Sequence, residues 1–103
     1  MKSIFNRELP ELEKHFRAFA EKALEEGAIP AKTKELIASA ISVAVKCEPC
    51  LEHHLKQALK KGATVREIAE ALGVALLMVG GPASAWPRKT IDRVLKSFQN
   101  KEI

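Results

Sequence analysis

"KTKELIASAISVAVKCEPCLEHH", Lys32 to His54, carries two helical patterns joined at a pair of cysteines. The first half is apolar almost all round between Leu36 and Val45, broken only by Ser39 and Ser42. Glu35, Ser39, Ser42 and Lys46 are spaced four, three and four, which draws one narrow polar stripe along a helix. Pro49 suits the first turn of a new helix, because the N–H it lacks would find no intrahelical partner there. That second helix is expected to run to about Lys61 and to end at Gly62.

On the N-terminal side, Pro10 sits where a first helical residue is favoured, and Leu12, Phe16, Phe19 and Ala20 come after it with helical spacing. Gly27 then reads as the residue past the helix end, predicting a helix from about Pro10 to Glu26. The pattern leaves open whether Met1 to Glu8 adds a short helix. On the C-terminal side, Thr64 and Glu67 form a capping box for a helix from Val65 to about Val79. Its second half, Ala71 to Val79, is apolar on every face. Trp86-Pro87 leads into a last helix, about Arg88 to Phe98, with Ile91, Val94, Leu95 and Phe98 on its buried side. No strand pattern occurs, so the expected fold is an all-α bundle of about five to six helices, in one domain spanning residues 1–103.

Composition agrees with a globular chain, at 47% hydrophobic and 29% charged residues. Two helices apolar on all faces exceed what a domain of this size comfortably buries. Self-association is the expected remedy, with Ala38, Ala40, Gly73 and Ala75 permitting close helix contact. The net charge of +4 comes from lysines alternating with glutamates, the pattern of a solvated helix face rather than of a nucleic-acid surface. "TVREIAEALGV", Thr64 to Val74, looks like the first helix and turn of a helix-turn-helix reader. Its would-be second helix, Ala75-Leu76-Leu77-Met78-Val79, offers no group that could hydrogen-bond a base, and no nucleic-acid partner is expected. The N-terminal residues show no apolar signal region, and Gly80-Gly81-Pro82 interrupts the longest uncharged run. A cytoplasmic protein with no membrane partner is the expectation.

In a reducing compartment, two cysteines at CxxC spacing are more often redox-active, catalytic or metal-binding than structural. Cys50 falls in the first turn of its helix, where unpaired backbone N–H groups and the macrodipole favour a thiolate. His54 lies four residues on, on the same face, where it can take the thiol proton or stabilise the thiolate. Cys50 is then the attacking thiol and Cys47 the one that resolves the product. A zinc site would draw on Cys47, Cys50, His53 and His54, but adjacent histidines diverge on a helix and the chain has no second ligand pair. A buried, inert pair at the helix junction is the plainest alternative. His53 and His15 read as surface residues.

Glu35, eleven residues, Cys47, two residues, Cys50, three residues, His54: this order resembles the active-site signature of the alkylhydroperoxidase D branch of the carboxymuconolactone decarboxylase family. The likeness continues from Lys32 to Ala83, through the Gly-Ala-Thr turn to Gly-Gly-Pro-Ala. The resemblance implies an all-helical subunit assembling into trimers or hexamers. It implies peroxide reduction or disulfide exchange through the two cysteines, with a dithiol electron donor, no bound cofactor, and Glu35 and His54 as a proton relay. It also implies that Cys50 is the more accessible and reactive cysteine. The founding branch has a histidine just before the second cysteine, where this chain has Pro49. The namesake decarboxylases generally lack the cysteine pair, so the dithiol argues against decarboxylation of a lactone acid. Twelve residues of straight helix rise ~18 Å, so Glu35 cannot touch Cys47 along one unbroken helix. It must act through His54 and water, across a bend, or from a neighbouring subunit.

Overall fold

The computed structural model describes residues 3–100, and among them every regular element is helical. A short helix α1 spans Ile4–Glu8, held by a capping box between Ser3 and Asn6. α2 spans Pro10–Leu24 with its proline at the first position. It stops before the expected Glu26, and Gly27 does not take the left-handed conformation of a helix-ending glycine. Two glutamates in the last turn would face the negative end of the helix dipole, and Pro30 bars helical geometry at Ile29. Glu26 instead turns forward, its Oε1 accepting the Ala31 N–H at 2.8 Å and so capping the next helix.

α3 spans Ala31–Ala44, α4 spans Glu48–Lys60 and α5 spans Val65–Val79. Gly62, at φ +94°, carries the chain out of α4 through a geometry that a side chain disfavours. The Thr64–Glu67 capping box is present as expected. α5 runs unbroken through Gly73, so the stretch makes no helix-turn-helix corner. A 3₁₀ turn over Gly81–Ser84 then leads to α6, Arg88–Gln99.

α3 packs antiparallel along α4, with α5 on α3 and α6 on α4. The core between them is Val43, Leu51, Leu55, Ala58, Leu59, Ala63, Ile68, Ala75, Ala83 and Val94. Ile91 and Leu95 of α6 pack at its edge, while Phe98 stays partly exposed, at 38%. Two ion pairs tie the elements together, Lys32 to Glu67 at 3.1 Å and Arg93 to Glu52 at 2.9 Å.

The apolar excess expected from the sequence is visible at the surface: in the second half of α5 Ala75 joins the core, but Leu77 is 80% exposed and Met78 76%. A Cβ at Gly73 would meet nothing within 4 Å, so the glycine packs against no neighbour inside the subunit. Nor does the apolar stripe of α2 find cover. That helix buries no residue, and Leu12, Phe16 and Phe19 all face outward. Between α3 and α5 lies an apolar groove of about 420 Å³, lined by Leu36, Ile37, Ala40, Ile41, Ala71 and Val74. The described residues thus leave extended apolar surface uncovered within one copy. No helix among the described residues is long and apolar enough to cross a membrane.

Candidate functional site

Three residues separate α3 from α4, and each is fixed by a backbone hydrogen bond. The Val45 N–H donates to Ile41 O at 2.9 Å, Lys46 N–H to Val43 O at 3.3 Å, and Cys47 N–H to Ser42 O at 3.0 Å. The last two form the paired closure that ends a helix through a left-handed residue. Here that residue is Lys46, at φ 58°. Cys47 then begins the next helix: its Sγ accepts the Cys50 N–H at 3.3 Å, in the manner of an N-cap oxygen. One residue thus closes α3 with its backbone and opens α4 with its side chain.

Cys47 and Cys50 are joined by a disulfide. Cys47 is half-buried and Cys50 exposed. Pro49 occupies the first turn of α4, but the helix starts one residue earlier, at Glu48. Leu51 and Leu55, fully buried, anchor this stretch of α4 in the core and orient His54 towards α3.

The polar stripe of α3 points inward. Glu35 is only 3% exposed, so it does not begin a solvent face, and Ser39 and Ser42 are buried with it. The serines satisfy themselves on their own helix: Ser39 Oγ donates to Glu35 O at 2.9 Å, and Ser42 Oγ to Ala38 O at 2.7 Å. Glu35 instead meets His54, whose Nδ1 lies 2.7 Å from Glu35 Oε1. A carboxylate only accepts, so toward an ionised Glu35 the donor of this bond is His54 Nδ1–H. The hairpin between α3 and α4 makes this contact across nineteen residues of sequence. Within one chain the fold brings Glu35 into contact with His54. His53 is exposed, as expected, and its ring stands edge-on to the His54 ring with centroids 4.9 Å apart.

Farther along α4, Lys56 hydrogen-bonds Glu52 and, with Arg93 behind it, holds that carboxyl below the usual carboxylate range. Among the described residues, no group of three or more His, Cys, Asp or Glu is arranged to hold a metal ion. The four ligands of the zinc alternative, Cys47, Cys50, His53 and His54, are therefore not gathered about one point. Three features escaped the sequence: the left-handed Lys46, the capping role of Cys47 and the edge-on contact of His53 with His54. The first two arise where two helices meet, and the third depends on the side-chain rotamers of neighbours on α4.

The sequence model of the carboxymuconolactone decarboxylase family matches residues 10–89. A solved structure of a protein of that family from Legionella pneumophila is 37% identical, with a TM-score of 0.79, covering 96% of this chain and 85% of its own. Another, from Thermotoga maritima, for which involvement in an antioxidative response has been suggested, is 28% identical with a TM-score of 0.81, covering 89% of this chain and 94% of its own. An uncharacterised protein of Cupriavidus necator is 37% identical over 76 residues, which are 74% of this chain and 67% of the relative.

Proposed function

The chain belongs to the carboxymuconolactone decarboxylase family, and within it we propose a CxxC-dependent peroxide reductase or thiol–disulfide oxidoreductase. The observation that carries the reading is the Cys47–Cys50 disulfide at the head of α4, with Cys50 the exposed partner. In the reduced protein Cys50 is the attacking thiol. Its thiolate is favoured by the N-terminal end of α4, and His54, one turn on, is placed to take its proton. Glu35 fixes the His54 tautomer through the 2.7 Å hydrogen bond and balances the positive charge that the imidazole gains.

With a peroxide, the Cys50 thiolate attacks one oxygen, breaks the O–O bond, releases an alcohol and becomes a sulfenic acid. Cys47 then attacks the Cys50 sulfur, water leaves, and the disulfide seen in the structure closes. With a disulfide substrate the first step breaks an S–S bond and releases a thiol instead. A dithiol donor returns two electrons by exchange, entering at the exposed Cys50. The cycle needs no bound cofactor, and it fits the reducing cytoplasm in which such a donor is held reduced.

Self-assembly belongs to the same proposal. Among the described residues, seventeen large apolar side chains are exposed, from Ile4 and Phe5 through Phe16 and Phe19 to Leu77, Met78 and Phe98. Many of them gather on the α2 stripe and the exposed face of α5, where a stable interface of about 800 Å² per partner could form. Copies of the chain covering the α2 stripe and the α3–α5 groove would give a homotrimer or homohexamer.

Reduced protein treated with one equivalent of peroxide should lose two thiols per chain and recover them with a dithiol. Cys50→Ser should abolish the reaction, and Cys47→Ser should stop at the sulfenic acid or a mixed disulfide. Thiols indifferent to both peroxide and disulfides would overturn the assignment.

A further inference from the structure

Lys46 stands directly before Cys47 with φ 58°, and among the described residues no other non-glycine has a positive φ. The remaining left-handed positions are held by Gly62 and Gly80. A side chain in that geometry costs roughly tenfold in the folding equilibrium relative to glycine. Every hydrogen bond of the corner is made by backbone, and glycine would make them all. The Lys46 side chain is exposed and forms no ion pair with any described residue. By contrast Lys32, Lys56 and Arg93 are each engaged with a glutamate. An exposed lysine without an ion pair among the described residues is thus kept, at a cost to folding, in the residue that precedes the half-buried cysteine of an accessible disulfide.

We propose that Lys46 selects the redox partner of the dithiol, favouring disulfides and dithiols that carry a carboxylate or other anionic group near their sulfur atoms. This rests on the thiol-reductase reading above and names its substrate class. In the forward step the Cys50 thiolate attacks one sulfur of R–S–S–R, and the S–S bond breaks as RS⁻ leaves. The Cys47 thiolate then attacks the Cys50 sulfur, expels the second RS⁻ and closes the Cys47–Cys50 bond. Two electrons pass to the substrate, and the two protein thiol protons end on the released thiolates. A negative charge on R approaches the Lys46 ammonium in both steps and in their reversal by a dithiol. Glu48, the one acid in the first turn of α4, opposes that attraction. Glu48→Gln should therefore sharpen the preference.

The test compares oxidation of the reduced protein by dianionic 3,3′-dithiodipropionate, neutral bis(2-hydroxyethyl) disulfide and dicationic cystamine. Wild type is compared with Lys46→Gly and Lys46→Gln at low salt. One charge about 7 Å away in water changes a rate by about threefold. Both variants should slow the dianion at least threefold, leave the neutral disulfide unchanged and speed cystamine, with the differences shrinking in high salt. Lys46→Gly should also gain about tenfold in folding equilibrium, whereas Lys46→Gln should not. Stability and charge preference thus move apart, which a merely structural lysine would not produce. Equal effects on all three disulfides, or none, would overturn the selection while leaving the reductase reading in place. A wild type inert to all three would overturn the selection and the disulfide-exchange branch of that reading, while peroxide-dependent thiol loss tests the peroxidase branch separately.

Discussion

Replacing Glu35 by glutamine isolates the electrostatic part of the proposed relay. The two side chains have nearly the same shape, so the buried site keeps its volume, and the amide oxygen can still accept from His54 Nδ1–H. The change removes the negative charge 2.7 Å from the imidazole. A hydrogen bond to a charged acceptor contributes about 1.5–3 kcal/mol and one to a neutral acceptor about 0.5–1.5 kcal/mol. The difference between the midpoints, about 1.25 kcal/mol, corresponds to about eightfold in rate if it is expressed when His54 takes the thiol proton. The assay is alkylation of the reduced protein by iodoacetamide across the neutral pH range, with peroxide consumption measured in parallel. Glu35→Gln should react about eightfold more slowly near neutrality, with a changed pH profile. His54→Gln should lose at least as much, and the double variant little more, because the two residues act as one unit. Circular dichroism and urea titration of each variant separate slow chemistry from poor folding. A Glu35→Gln protein with wild-type rate and pH profile would refute the relay, leaving Glu35 a buried structural partner of His54.

Other expectations concern the frame that holds the site. Leu55 is fully buried, so Leu55→Ala should cost about 2–5 kcal/mol in urea denaturation, with the slope unchanged. Thr64→Ala removes the α5 capping box and should cost about 1 kcal/mol by the same measurement. The Lys56 hydrogen bond, with Arg93, lowers the Glu52 pKa, and the Thr64 backbone hydrogen bond, with Lys32, lowers that of Glu67. A depressed folded pKa gives stability that is present above the unfolded value and lost as pH falls through the folded one. Glu52→Gln should therefore be less stable than wild type at neutral pH and equal to it in strong acid, as thermal unfolding against pH would show. If the exposed end of α5 lies between copies, Leu77→Lys should shift the protein towards monomer in light scattering without changing its thiol count.

Helix positions are legible in the sequence because caps and breakers are local. Pro10, Pro49, Gly62 and the Thr64–Glu67 box each act within one turn, and the structure uses all of them. The end of α2 is not legible in the same way: Gly27 resembles a cap, while the deciding groups are Pro30 and a glutamate committed to the next helix. The stripe of Glu35, Ser39 and Ser42 is visible, but its direction is not. Periodicity says that residues share a face, not which neighbour the face meets. The α5 run is apolar on every face, yet no described residue covers Leu77 and Met78. The order of Glu35, Cys47, Cys50 and His54 marks four residues that the fold brings to the α3–α4 hairpin. The Glu35–His54 contact depends on the hairpin, and residue order alone leaves it as one of three routes.

The corner at Val45, Lys46 and Cys47 has a further consequence, for insertions and deletions. All three of its residues are committed to backbone hydrogen bonds, and Cys47 is shared by both helices. No slack remains to absorb a change in length. One residue added after Lys46 would have to be taken up by turning α4 about 100° on its axis and sliding it about 1.5 Å. His54 would swing away from Glu35, and Leu51 and Leu55 would leave the core. The eleven residues between Glu35 and Cys47 and the six between Cys47 and His54 thus act as a measured length. In this fold the signature is a ruler as much as a set of reactive groups.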